Sequence, residues 1–167
     1  MLILIAGLPG SGKSTVARAY IARYGGIHIN SDILRGTMGL RGHYGAGEKE
    51  KVYAAMLVQT REVLGSGEVA VVDSTFFRQD IRAPFEQIAA DFGCPVFRVV
   101  VQAKEATVRQ RLQMPRPDSE ADFAVYEKIR DQYEPWSAPH LTLYTDRAAP
   151  DELADTLHQY ILACHDN

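Results

Sequence analysis

Residues 7–15 read GLPGSGKST, and the reading of the rest of the chain follows from them. Gly7, Gly12, Lys13 and Ser14 satisfy the pattern G-x-x-x-x-G-K-[ST]. The flanks satisfy it too. The apolar run LILIA (2–6) leads in as a strand, and a helix is expected over about 13–24, with Val16, Ala17, Tyr20, Ile21 and Tyr24 on one face. Glycines let the backbone turn so that its N–H groups face a phosphate chain, and the helix N-terminus adds positive potential. Gly7, Pro9, Gly10, Ser11, Gly12, Lys13, Ser14 and Thr15 therefore form a candidate phosphate cradle. Lys13 is expected to reach the β- and γ-phosphates and the Ser14 hydroxyl to ligate Mg²⁺.

Outward from this loop, apolar runs of strand length alternate with segments of helical period. GIHI (26–29) and VAVVD (69–73) are expected strands, separated by a helix over about 48–64 carrying Val52, Met56, Thr60 and Val63. Ile81, Phe85, Ile88, Ala89 and Phe92 repeat on one helical face. CPVFRVVV (94–101) reads as a buried strand, followed by a helix over about 104–112. Pro115 and Pro117 block its continuation, and a further helix over about 119–133 is expected with Ser119 as its cap. LTLYT (141–145) is the last strand, and Leu153, Leu157, Ile161 and Cys164 line the last helix. Only 36–47, with five glycines among twelve residues, reads as unstructured. Five strands alternating with helices predict a three-layer α/β fold around a five-stranded parallel sheet. The expectation is one domain over 1–167 with a helical lid at about 111–133.

Composition agrees with such a domain: 167 residues, 46% hydrophobic, 23% charged, no biased tract. A formal charge of −3 offers no general basic field for long nucleic acid. Cys94 and Cys164 have no metal or redox spacing, and both read as reduced packing residues. The apolar start breaks at Gly7, too early for a signal peptide or membrane span, so a cytoplasmic protein without membrane contact is expected.

Asp73 ends a buried strand at the edge where open α/β sheets bind ligands. It is the candidate second metal residue, with Ser14, of a Mg·ATP site. INSDILR (29–35) raises a choice. Asn30, Ser31 or Asp32 can simply cap a helix, with Arg35 solvated. Alternatively, Asp32 accepts the hydroxyl proton of a phosphate acceptor, and Arg35, three residues on, holds a phosphate. VRQRLQMPRPDSEAD (108–122) adds Arg109, Arg111 and Arg116. Arginines on a flap can close over the triphosphate and exclude water, or they form an ordinary solvated face. A guanine-reading N-K-x-D is absent, which removes a GTPase switch. A motor ATPase is usually larger and works with an arginine finger. His43 and Tyr44 lie in the glycine-rich loop beside the acceptor side. Trp136 packs the end of the lid or stacks on a base, and Arg147 follows the last strand near where adenine would lie.

The order GLPGSGKST, INSDILR, VVDSTFFRQDIR and an arginine-bearing lid ending in YEP resembles the polynucleotide-kinase and zeta-toxin-like group of P-loop kinases. It is most similar to the 5′-kinase domain of phage-type polynucleotide kinase, over about residues 1–135. The resemblance implies Lys13 and Ser14 at the phosphates and Mg²⁺, Asp32 as general base, and Arg35 on the phosphate at the acceptor end. The family's lid arginines fall near Arg111 and Arg116. The expected activity is Mg²⁺-dependent transfer of the γ-phosphate of ATP to an alcohol, either a nucleic-acid 5′-hydroxyl or a small-molecule hydroxyl. The alternative is a regulatory ATPase with no acceptor.

Overall fold

The structure is a computed structural model that describes residues 1–43, 45–114 and 121–165. Five parallel strands, β1 (Leu2–Ala6), β2 (Ile27–Asn30), β3 (Ala70–Asp73), β4 (Val96–Gln102) and β5 (Leu141–Tyr144), form one sheet in the order β2-β3-β1-β4-β5. Around it run α1 (Lys13–Tyr24), α2 (Ser31–Thr37), α3 (Ala46–Gly65), α4 (Gln79–Asp91), α5 (Glu105–Gln113), α6 (Phe123–Asp131) and α7 (Pro150–His165).

The central strand shows why three layers form. All five residues of β1 are buried, and the two-residue pleat sends them alternately to opposite faces. Leu2, Leu4 and Ala6 join Val52 and Met56 of α3 and Phe85 and Ile88 of α4. Ile3 and Ile5 join Val16, Ala17 and Tyr20 of α1 and Leu153, Leu157 and Ile161 of α7. Each fully buried aliphatic side chain contributes about 1.5–3 kcal/mol, so a strand apolar on both faces is stable only when covered on both.

Because all strands are parallel, their C-terminal ends share one edge. There Asn30 pairs with Asp73, Asp73 with Ile5, and Ala6 with Val100. The loop after β1 therefore emerges from the middle of this edge, between the ends of β3 and β4.

Several boundaries differ from the sequence expectation. Helix α2 runs to Thr37 and α3 begins at Ala46, so the irregular stretch between them is shorter than 36–47. Helix α6 starts at Phe123 and is capped by Asp122, whose carboxylate accepts from the Val125 N–H at 2.9 Å. An Asp cap in place completes the turn that a longer helix would have needed Ser119 for; Ser119 lies outside the described residues. Cys164 is exposed and not a packing residue, because the buried stripe of α7 is carried by Leu153, Ala154, Leu157 and Ile161. Cys94 is half-buried against the core. No helix among the described residues is long and apolar enough to cross a membrane.

Candidate functional site

The 7–15 loop turns from β1 into α1 through backbone that only glycine fits at two points. Gly12 has a φ of +97° and caps α1, and a Cβ there would stand 2.9 Å from Cγ2 of Thr145. At Gly7 a Cβ would collide with the Val101 carbonyl oxygen of the neighbouring strand. No side chain caps α1, which leaves the positive end of the helix to whatever the loop holds. The Lys13 ammonium donates to the Leu8 carbonyl at 3.2 Å, folded across the loop. Ser11 is buried and its hydroxyl has no hydrogen-bond partner. Pro9 is buried, Gly10 half-buried and Thr15 exposed.

Beside the loop, one amide joins three elements. Asn30 donates through Nδ2 to Ser14 Oγ at 3.1 Å and to Asp73 Oδ2 at 2.7 Å. Its Oδ1 accepts from the Ile33 N–H at 2.8 Å, which caps α2. His28 Nε2 lies 2.9 Å from the same Asp73 Oδ2. Asp73 is 1% exposed. Burial pushes its carboxyl up, but the bond from His28, the charge of Lys13 and the bond from Asn30 together hold it below the usual carboxylate range. It is therefore ionised at neutral pH. Its Oδ1 is buried and has no hydrogen-bond partner. The Ser14 hydroxyl, which shares the Asn30 amide with Asp73, and the unsatisfied Asp73 oxygen are hard donors of the kind Mg²⁺ takes. Among the described residues no group of three or more His, Cys, Asp or Glu could hold a metal alone. A cation here would thus be shared with phosphate and water oxygens, as nucleotide-bound Mg²⁺ is. The residues fit that group.

On the other side of Asn30, helix α2 carries Asp32 and Arg35. The cap is Asn30, so the helix start does not require Asp32 for that purpose. Asp32 is half-buried and acts electrostatically on the phenol of Tyr53, whose hydroxyl is 3.0 Å from that of Ser74, the neighbour of Asp73. Arg35 is buried, and its Nη1 donates to the His43 carbonyl at 2.7 Å, drawing the loop after α2 inward. The Lys49 ammonium is pushed below its ordinary value by burial and by the charges of Lys128 and Arg35. Helices α2, α3 and α6 thus bring cations together on this side. Tyr44 lies outside the described residues.

The arginines of 108–122 part company. Arg111 points onto the loop backbone, with Nη1 donating to the carbonyls of Gly10 (3.2 Å) and Ser11 (3.3 Å) and to Thr145 Oγ1 (2.8 Å), and Nη2 to the Thr145 carbonyl (3.1 Å). Arg109 lies 3.6 Å from the Phe123 ring centre, and with Arg130 it flanks Glu105, joining α5 to α6. Arg116 lies outside the described residues. Trp136 is buried under the Arg82 guanidinium at 4.5 Å, and Arg147 stacks on Tyr144 at 4.1 Å.

Three residues of the site escape a motif search. His28 and Asn30 stand two apart on a strand, a spacing that puts both on one face; this was the available signal, but it gains meaning only once β2 is known to lie beside β3. Thr145 carries no motif, and only the fold places it against Gly12.

The site and sheet define a class: the P-loop nucleoside-triphosphatase fold. The chain belongs to the family described as an AAA domain, whose model matches residues 2–136. An uncharacterized protein of Mycobacterium tuberculosis is 32% identical over an alignment covering 54% of this chain and 20% of that protein. The chain thus spans about a fifth of the length of the curated relatives it matches. Among solved structures, Kti12 of Chaetomium thermophilum in complex with ADP-AlF3 is similar with a TM-score of 0.76, 22% identity and 98% of both chains covered. The Mycobacterium tuberculosis APS kinase CysC, in complex with AMPPNP and APS, gives 0.70 at 21% identity over 96% of each chain. A gluconokinase from Sinorhizobium meliloti 1021 gives 0.69 at 17% identity over 98% of this chain and 94% of that one. At these identities the likeness establishes the fold.

Proposed function

We propose that the chain is an ATP-dependent phosphotransferase that moves the γ-phosphate to an alcohol. The observation that carries this reading is Asn30. One side chain ties the loop serine and the strand-end acid to the first turn of the helix bearing Asp32 and Arg35. The donor half and the acceptor half of a kinase site are thereby built as one unit. ATP lies with its phosphates along Gly7–Thr15, its charge met by Lys13 and the N-terminus of α1. Ser14 and Asp73 would hold Mg²⁺, which when bound offsets phosphate charge.

The acceptor hydroxyl sits between Asp32 and the γ-phosphorus. Its oxygen forms the new bond to phosphorus while the bond from phosphorus to the β,γ-bridging oxygen breaks, and its proton goes to the Asp32 carboxylate. Arg35 holds the acceptor end. Arg111, with Arg116, steadies the loop and the transferring group as the lid closes and excludes water. The cations Arg35, Lys49 and Lys128 suit an acceptor that carries an anionic group. A small-molecule hydroxyl is supported by the APS kinase and gluconokinase among similar folds. A nucleic-acid 5′-hydroxyl is supported by the polynucleotide-kinase resemblance.

A second reading, a nucleotide-driven ATPase with no acceptor, is favoured by the AAA-domain description of the family. One experiment separates them. The protein is incubated with γ-labelled ATP and Mg²⁺ against a 5′-hydroxyl oligonucleotide and a panel of sugars, sugar acids, nucleotides and antibiotics. Label on an acceptor, with less label released to water, is the expected result. Label released to water that no alcohol diverts would favour the ATPase.

A further inference from the structure

Strand β2 directs two donors at one oxygen of Asp73. Asn30 stands directly across the ladder from Asp73, and His28 stands two residues earlier, opposite Val71. The pleat puts both on the sheet face that α1 covers. A carboxylate only accepts, so His28 Nε2 carries the proton in its 2.9 Å bond to Oδ2. Asn30 brings a second donor to the same oxygen at 2.7 Å. Oδ2 is thus doubly satisfied, whereas Oδ1 is buried and without a partner.

The terminal torsion of an aspartate is broad and nearly two-fold. Bonds decide which oxygen is held back and which is presented. Asn30 divides its amide between Ser14, Asp73 and the cap of α2. The His28 bond is the one donated to Asp73 alone. The imidazole is also mostly shielded, its side chain 16% exposed, so water competes weakly for this bond.

We propose that His28 is a positioning residue that holds Asp73 with Oδ1 presented to the divalent cation of the nucleotide site. This rests on the Mg·ATP reading above but does not depend on which acceptor is used, or whether there is one. Partners of metal-facing groups commonly change metal affinity about 10–100-fold when removed.

The test uses the whole chain with ADP and Mn²⁺ as a spin probe. Protein-bound Mn²⁺ is titrated by electron paramagnetic resonance for wild type, His28→Ala and His28→Gln, with ADP affinity measured in EDTA and thermal stability alongside. Gln offers an N–H at a similar reach. The expected result is Mn²⁺ binding weakened about tenfold or more in H28A, restored to within about threefold in H28Q, with metal-free ADP affinity unchanged in both. Wild-type Mn²⁺ affinity in a folded H28A would overturn the role. So would equal weakening of H28A and H28Q, which would mark His28 as packing. If H28A does not fold, wild-type affinity in H28Q supports the role and weakened affinity overturns it. A wild-type ADP complex that takes up no protein-bound Mn²⁺ would overturn the cation site itself, and the proposal with it.

Discussion

Asn30 is the residue whose chemistry is least replaceable by shape alone. Aspartate has nearly its outline and can still accept from the Ile33 N–H, but it cannot donate to Ser14 Oγ or Asp73 Oδ2. Asn30→Asp would place two carboxylates at hydrogen-bond distance in a buried site, so one of them must have its pKa raised. We expect N30D to be destabilised by at least about 2 kcal/mol at pH 7. In the wild type, the depressed Asp73 pKa contributes stability above the unfolded value, and this is lost as pH falls through the folded value. In the variant, the raised pKa is a penalty that fades on acidification. The gap between them therefore begins to narrow above about pH 4, as pH falls through the raised value, and narrows further below about 4 as the wild type loses its own contribution, measured by urea unfolding at a series of pH values. Asp32 belongs to the same scale. Asp32→Asn keeps the helix start, which Asn30 caps, and removes the proposed proton acceptor. Its kcat should fall about 10²–10⁴-fold with ATP affinity within about twofold of wild type; unimpaired transfer would refute the role.

Among the elements, the contact between α5 and the 7–15 loop changes what Arg111 is expected to do. The arginine fork reaches two loop carbonyls and Thr145, whose methyl in turn lies against Gly12. Gly10 is packed by Leu112 and Val108 of the same helix. Lysine has the charge but no fork and cannot span these acceptors. We expect Arg111→Lys to weaken nucleotide binding about tenfold, close to 1.4 kcal/mol, with a smaller effect on kcat. A fall in kcat at unchanged nucleotide affinity would mean that Arg111 steadies the transferring group but not the loop. The helices themselves are legible in the sequence wherever an apolar stripe meets a distinct stop: the pattern predicts α1 over about 13–24, and it is Lys13–Tyr24. Ends set by capping hydrogen bonds are less legible. Asp122 and Asn30 act as caps through bonds to N–H groups three residues on, and several neighbouring Ser, Asp and Asn residues offered the same local chemistry.

At the scale of the whole molecule, Arg82 ties the chain after α6 to the body. It is fully buried, and burial pulls its guanidinium below the ordinary value. Nε donates to the Phe76 carbonyl at 2.6 Å, Nη2 to the Glu134 carbonyl and Nη1 to that of Pro135 at 3.4 Å, while its face covers Trp136. Phe76 holds a φ of +44°, a strained value for a bulky residue. It lies three residues after Asp73, and the Thr75 carbonyl before it accepts from the Gly7 N–H at 3.4 Å. The Glu134 N–H donates to the Phe77 carbonyl at 2.7 Å, and the Glu134 carboxylate accepts from the Gln79 N–H at the start of α4. One buried cation thus fastens the chain after α6 to the turn that leaves β3. Arg82→Met keeps the length and removes the donors. We expect a loss of about 2–4 kcal/mol in chemical unfolding, and an unchanged midpoint would show these bonds to be dispensable.

By itself the sequence determined the phosphate loop, the alternation of strands and helices, and therefore the covered parallel sheet. Those features rest on local geometry and on periodicity, which neighbouring residues carry between them. The tertiary structure decided that Asp73 meets Asn30 and His28, 43 and 45 residues away, and that Arg111 reaches back 101 residues to Gly10. Such meetings depend on strand order: β2 adjoins β3, not β1. No residue pattern along the chain encodes that neighbourhood. It is settled by which faces can be buried together.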